Sequence, residues 1–458
     1  MIDTAVSPIA ALARELAEGK TTSRKLVEAA LSRIADAGGE GGRVFTRVHA
    51  RSALVAADAS DRLRKEGAVP SPLAGLPVSI KDLFDVAGDV TTAGSTILRD
   101  AAPAATDAAA VARLRAAGAV IIGRSNMSEF AFSGVGLNPH YGTPANPCRR
   151  AKRLIPGGSS SGAAVSVSDA MAAFALGTDT GGSVRIPAAL CGITGFKPTR
   201  TRVPLEGAFP LSSTLDSVGP LAPTVACCAA VFQVLAGEQP RVLQPAPLRG
   251  FRLGVPKNYV LEDLDAEIMG AFDSAIERLS RRGARIVELR VPEFDEAANA
   301  NRGGGISPPE AYAVHRKWIE REKDFDPRVL ERIVRGGKVL AADYIELLAT
   351  RARLMRQFSR ANYDVDVMIM PTVPRIALPI EALERDADTF RAANGLLLRN
   401  TSLVNFLDGC ALSLPIQPPG EAPVGLMVTG FSGDDDRVLS AGLGIEAALA
   451  YQGPVLVE

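Results

Sequence analysis

The sequence predicts an α/β protein in which helices pack on a buried mixed β-sheet. From Leu73 onward, short apolar runs of strand length alternate with stretches of helical periodicity, the pattern of a layered α/β architecture. At 458 residues the chain exceeds the size at which one core usually stops growing, so it needs either two domains or one unusually wide sheet. Strand-like runs recur on both sides of the most linker-like stretch, Gly237 to Arg249, which contains Glu238, Pro240, Pro245 and Pro247. That recurrence favours one continuous fold over 1–458.

In chain order, residues 7–36 read as two amphipathic helices broken at Gly19. The first is marked by Ile9, Leu12 and Leu16; the second is capped by Thr22 or Ser23 and carries Leu26, Val27, Leu31 and Ile34 on one face. Both are expected outside the main sheet. A strand from Leu76 to Ile80, a helix over 107–117 and strands from Ala119 to Ile122 and Met171 to Leu176 follow, then helices over 184–190 and 224–236. After the linker come a strand from Phe251 to Val255, a helix over 264–282 and a strand from Ile286 to Leu289. The 292–310 stretch shows only a polar glycine-rich loop, Asn301 to Gly305, expected as a mobile flap. A helix from Ala311 to Lys323 carries Tyr312 and Trp318, either as packing aromatics or as a cap over a substrate, and a second helix covers 338–361. Strands from Val365 to Met370, Ala411 to Ile416 and Val424 to Val428 precede a final helix over 434–449. The chain thus divides into an N-terminal helical region (1–70), a segment bearing the chemistry (71–235), and the rest of the sheet with its covering helices and specificity loops (236–458).

Composition excludes several classes. Lys plus Arg equals Asp plus Glu at 51 each, the net charge is zero and no long basic run occurs, so the electrostatic footprint of a nucleic-acid binder is missing. A small substrate fits better. The five cysteines, Cys148, Cys191, Cys227, Cys228 and Cys410, are odd in number and lack C-x-x-C spacing, which argues against a disulfide framework or a zinc site and for reduced, mostly buried thiols. The acidic start at Asp3, without a basic stretch before an apolar one, speaks against secretion. No segment reaches the roughly 18 apolar residues of a spanning helix; the alanine-rich 224–236 stretch is bounded by Pro223 and Gly237. The expectation is a cytoplasmic protein with no membrane contact, for which a homodimer would be an ordinary assembly.

Two serine-bearing glycine loops, Pro156 to Gly162 and Asp179 to Arg185, together with Lys81, suggest a histidine-free serine hydrolase. A serine hydroxyl is a weak nucleophile that needs a neighbouring base, and the anion formed on attack needs preorganised N–H donors. A strand ending at Leu176 runs through Gly177-Thr178-Asp179-Thr180-Gly181-Gly182 to a helix starting near Ser183, so the N–H groups of the loop can converge on one point. Ser183 serves there as nucleophile or simply as an N-cap. The first loop has the glycine spacing of a phosphate cradle, but Ala163 stands where the lysine belongs, which removes a nucleotide role. The small residues Ala163 to Val167 allow close packing against a neighbouring backbone. Asp179 reads as a brace that accepts loop N–H groups. Lys81 lies opposite Val78 and Ile80 on its strand. Most lysines at strand ends are solvated. A base is nevertheless required, and His49, His140 and His315 accompany no Ser-His-Asp pattern. Lys81 serves only if neutral, so burial must lower its pKa well below about 10.4. Asp82 opposes this unless its carboxylate turns away.

These motifs resemble the amidase signature family. The likeness extends through Cys191-Gly192-Ile193-Thr194-Gly195-Phe196-Lys197-Pro198-Thr199, Thr106-Asp107 leading to Leu114 through Ala119, Asn126-Met127-Ser128-Glu129-Phe130, and Leu215-Asp216-Ser217-Val218-Gly219-Pro220. It closes with Pro371-Thr372-Val373-Pro374 and Pro423-Val424-Gly425-Leu426, and covers about residues 8 to 450. The resemblance implies a central twisted mixed sheet covered by helices on both faces. It also implies Ser183 as nucleophile, Ser159 as bridging serine after a cis Gly158–Ser159 peptide, Lys81 as base, and the N–H groups of Thr180, Gly181, Gly182 and Ser183 as oxyanion hole. Ala131, Phe132, Ser133 and Gly134 match the segment flanking the scissile carbonyl, with Tyr141 after it. Ser161 departs from the family, where glycine is common, and requires a φ that a side chain tolerates; Ser160 is expected to brace the loop. The implied activity is hydrolysis of a small carboxamide without cofactor or metal. The alternative is a protein resembling the A-type subunit of glutamyl-tRNA amidotransferase, which liberates ammonia from glutamine inside a complex; a catalytically silent binding protein is disfavoured by the complete Lys81, Ser159, Ser183 set.

Overall fold

The computed structural model describes residues 7–361, 363–418 and 420–450. Asp3 and the outermost ends of the 1–458 unit lie outside the described residues. Strands β1 (Phe45–Val48), β2 (Pro77–Lys81), β3 (Val120–Ser125), β4 (Phe174–Thr178), β5 (Thr194–Lys197), β6 (Val218–Ala222), β7 (Arg252–Pro256), β8 (Arg285–Leu289), β9 (Val367–Pro371), β10 (Cys410–Pro415) and β11 (Gly425–Gly430) form one sheet. Among the described residues its order is β1-β3-β2-β4-β6-β5-β10-β11-β9-β7-β8. The sheet is mixed: β3, β2 and β4 run parallel, as do β9, β7 and β8, while β4 to β9 pair antiparallel through β6, β5, β10 and β11. Every residue of β2, β4, β6 and β9 is buried, so both faces of the central sheet are covered by helices.

All eight strands expected from apolar runs form. Three others were not legible. β5 and β6 contain Gly195, Gly219 and Pro220, residues poor in strand propensity, and are held by partners on both sides. β1 is a short edge strand with Phe45 as its one buried residue. The expected helices form with similar bounds, and Thr22 accepts Lys25 N–H at 3.1 Å as the second one's cap. That helix packs on Ala50–Lys65, which covers β3. The 292–310 stretch is corrected: Pro292–Asn301 is a helix opened by a proline in its first turn, and Phe294 and Ala297 bury on one face. The 311–323 helix is also shorter than expected, since Ser307–His315 gives way to 3₁₀ turns. Trp318 joins Phe209 and His315 in an aromatic cluster, as packing requires.

The largest apolar cluster runs from Val78 and Ile80 through Leu176, Phe196 and Leu412 to Leu253 and Ile445, crossing the 237–249 linker in sequence without interruption in space. All five cysteines are unpaired, and four are buried. Among the described residues no helix is long and apolar enough to cross a membrane.

Candidate active site

β2 alternates as its pleat requires. Val78 and Ile80 enter the main core, whereas Ser79 and Lys81 face the helix Ser161–Ser168, where Ser79 Oγ lies 2.8 Å from Ser166 Oγ. One step further, the fully buried Lys81 Nζ donates to Ser159 Oγ and to Thr178 Oγ1, each at 2.8 Å. Burial pulls the Lys81 pKa down to about 7, against the attraction of Asp179 and Asp216. Asp82 turns away and pairs with the buried Arg124 and the Thr92 hydroxyl.

The Gly158–Ser159 peptide is cis. Its loop is held by Gly158 N–H to Gly134 O at 2.8 Å and Ser128 N–H to Ser159 O at 3.0 Å. A side chain at Gly162 would strike the backbone of Val44 and Asn126, which is the close approach the small residues permit. Ser161 is the first residue of its helix, a conformation open to any side chain. Ser160 braces the two loops, its N–H donating to Ser183 O at 3.3 Å and its hydroxyl to Thr178 O at 3.4 Å.

The second loop is set by its carbonyls. Asp179 O accepts from Ser217 Oγ at 2.6 Å, Gly181 O from Thr401 Oγ1 at 2.6 Å, and Gly182 O from Ile186 N at 2.7 Å. With these oxygens turned into the protein, the four consecutive N–H groups of Thr180, Gly181, Gly182 and Ser183 donate to no protein acceptor among the described residues. Gly182 sits at φ +137°, and a Cβ there would collide with the Thr401 hydroxyl, so only glycine fits. Asp179 braces the loop as expected: it accepts Val184 N–H at 3.1 Å and Arg185 N–H at 3.3 Å, and pairs with the Arg185 guanidinium at 2.8 Å. Burial opposes its ionisation, but Arg185, Lys197 and Asn405 hold its carboxyl well below the usual range. Asp216 accepts Thr180 Oγ1 at 2.6 Å and the N–H groups of Leu211 and Ser212; burial still pushes its pKa up to about 6.

Ser183 opens onto a cavity of about 270 Å³. Its hydroxyl has no protein partner among the described residues, so of the expected Lys81–Ser159–Ser183 chain the first link is a hydrogen bond here and the second is not. Ala131, Phe132 and Ser133 line the cavity with Thr180 and Gly181. Gly134 does not; its N–H donates to Asn394 Oδ1 at 2.8 Å and its carbonyl anchors Gly158, so it holds the wall in place. Tyr141 also lies outside the lining.

Three residues at the site carry no sequence signal of their own. Thr178 is one threonine on a strand end, Asn394 lies in the helix Ala387–Phe406, and Arg332 lies in the helix Pro327–Gly336. Helical periodicity reports which face is buried, not that a cavity lies under it.

Comparisons with known proteins bear on the family and the fold. A family model described as Amidase matches residues 25–439. A 2-amino-5-chloromuconic acid deaminase of Comamonas testosteroni is 39% identical over 408 residues, 88% of this chain and 87% of that protein. The A-type subunit of a glutamyl-tRNA(Gln) amidotransferase from Chloroflexus aggregans is 35% identical over 462 residues, 93% of each chain. Among solved structures, an amidase superposes with a TM-score of 0.87 at 32% identity, covering 97% of this chain and all of that one (100%). By fold and sequence alike the protein is an α/β enzyme that hydrolyses carbon–nitrogen bonds. It belongs to the amidase family.

Proposed function

We propose that this protein is an amidohydrolase that converts a small-molecule carboxamide to the carboxylate and ammonia or an amine through an acyl-enzyme on Ser183. The observation that carries this reading is the buried Lys81 amine hydrogen-bonded to Ser159 at 2.8 Å, beside the loop that presents Ser183. Neutral Lys81 takes the Ser159 proton as Ser159 takes that of Ser183. The Ser183 hydroxyl, engaged by no other group among the described residues, is free to turn onto Ser159, whose neighbour Ser160 already bonds Ser183 O. Ser183 Oγ adds to the amide carbon, and the carbonyl oxygen becomes an anion facing the N–H groups of Thr180, Gly181, Gly182 and Ser183. Collapse breaks the carbon–nitrogen bond while Ser159 passes a proton to the leaving nitrogen and recovers one from Lys81, because an amide nitrogen leaves poorly unless protonated. Water then hydrolyses the ester by the same relay. The unit acting this way is the whole chain, working in the cytoplasm.

Ser183→Ala tests the assignment. Ammonia release from amides should fall to the uncatalysed level with circular dichroism unchanged, and retained turnover would remove Ser183 from the mechanism. The similarity to amidotransferase subunits of the A type favours a second reading, a glutaminase that works only in a complex. Turnover of simple amides by the isolated chain, without ATP or partner, decides for the first.

A further inference from the structure

We propose that the site selects amides that carry a free carboxylate and lack an ammonium group, with Arg332 receiving the carboxylate. The inference rests on the amidohydrolase reading and narrows it to the half-amides of dicarboxylic acids.

Arg332 is the one charged side chain that lines the cavity among the described residues. Its guanidinium lies 4.0 Å from the centroid of the Phe132 ring, and Nη1 donates to Phe132 O at 2.6 Å. A guanidinium carries five N–H donors. The others have no acceptor, and no carboxylate lies within ion-pair reach of Arg332 among the described residues. The acids nearby are committed elsewhere: Glu331 to Arg391 at 3.2 Å and Asp326 to Arg328 at 2.9 Å. Burial and the neighbouring Arg335 pull the Arg332 pKa down to about 10, which leaves it cationic at neutral pH with no counter-charge in place. Its remaining N–H groups are not sealed in the interior, and the planar fork matches a carboxylate in two parallel hydrogen bonds.

The group is held firmly. Asp326 caps the helix Pro327–Gly336 by accepting Arg328 N–H at 3.0 Å. The Asp326 N–H in turn donates to the fully buried Glu129 at 2.7 Å. Glu129 begins the segment that becomes the Ala131 to Ser133 wall, so Arg332 and that wall are fastened to one another.

The rest of the lining supplies no charge of its own. Ser183 and the unpartnered N–H groups of Thr180 and Gly181 mark where the amide reacts, Arg332 lines the same cavity, and Leu211, Leu215, Leu398 and Phe406 supply its apolar surface. No Asp or Glu lines the cavity, so an α-ammonium group would lie near a like-charged guanidinium without an anion. Glutaramate and succinamate fit this arrangement; glutamine, which is glutaramate with an added ammonium, does not. A volume of about 270 Å³ suits molecules of this size.

The experiment measures ammonia release by the full-length enzyme from succinamate, glutaramate, pentanamide and L-glutamine. The expected kcat/KM for glutaramate exceeds that for pentanamide and that for glutamine by about 10- to 100-fold, the range of hydrogen bonds to charged groups. In Arg332→Gln the preference for glutaramate over pentanamide should collapse to within a few-fold, mainly through KM, and Arg332→Lys should restore part of it. Equal use of glutaramate and pentanamide by the wild type, or preference for glutamine, overturns the inference while leaving the amidohydrolase reading intact. An equal loss on acid and neutral amides in Arg332→Gln also overturns it, since that marks a residue that only holds Phe132. Failure to cleave any amide overturns the reading beneath it.

Discussion

A lysine amine accepts a proton only when uncharged, and for Lys81 burial achieves this at neutral pH by bringing its pKa to about 7. For a neutral amide substrate, kcat/KM should therefore rise with pH through about 7 and level off above it. Asp216→Asn removes one of the two anions that favour the charged amine and should move this acid limb to lower pH; an unmoved limb would assign it to another group. The same shift bears on stability. Between the native value near 7 and the unfolded value of 10.5, the unfolded chain holds a proton that the native protein lacks, so stability rises with pH across that window. Below it the cost of the buried amine is fully present. Lys81→Met should abolish hydrolysis yet raise stability at pH 7, on the order of a few kcal/mol, with the gain shrinking toward pH 10 in denaturant midpoints. At this scale Lys81, Ser159 and Ser183 were legible because their residue types sit in distinctive local surroundings. Thr178 was not: its contact with Lys81 joins residues 97 positions apart.

The strand β4, its glycine loop and the helix Arg185–Cys191 owe their joint geometry to Asp179 and Arg185, both fully buried. Asp179→Asn leaves a guanidinium in the interior without its counter-charge and should destabilise the protein by about 3–5 kcal/mol. Chemical denaturation checks this, and a loss below about 1 kcal/mol would show the brace to be dispensable. Apolar runs made eight of the strands readable, since a buried strand must be apolar whatever lies beside it. β5 and β6 escaped because their glycines serve close packing: a Cβ at Gly195 would lie 2.8 Å from Val184 O. The helix Pro292–Asn301 escaped because two buried apolar residues, Phe294 and Ala297, in a run of Glu, Asp, Asn and Ala make too weak a periodic signal.

Across the molecule, the strands before the 237–249 linker, β1 to β6, fill one end of the sheet, and those after it, β7 to β11, fill the other. They meet where β5 pairs with β10, Phe196 opposite Leu412, and the buried Lys197 Nζ crosses the seam to Gly409 O at 2.8 Å. The last helix, Asp435–Leu449, packs back on Val225–Ala236. A protease cut within 237–249 should therefore leave two fragments that remain associated and active, and neither expressed alone should give a cooperative melt, because each would expose a central strand as a bare edge. Fragments that separate and fold independently would refute the single-unit reading. The site spans this seam: Lys81, Ser159 and Ser183 come from the first half, Arg332, Asn394 and Thr401 from the second.

By itself the sequence determined the α/β class, the strands that must be apolar, and the lysine and serines, because hydrophobic runs and glycine loops are local properties written in neighbouring residues. Only the tertiary structure decided that Lys81 is buried against Ser159 and Thr178, that Asp216 holds Thr180, and that a lone arginine faces Ser183's cavity. Those are consequences of strand order and helix placement, which bring distant positions together without marking any of them in the chain.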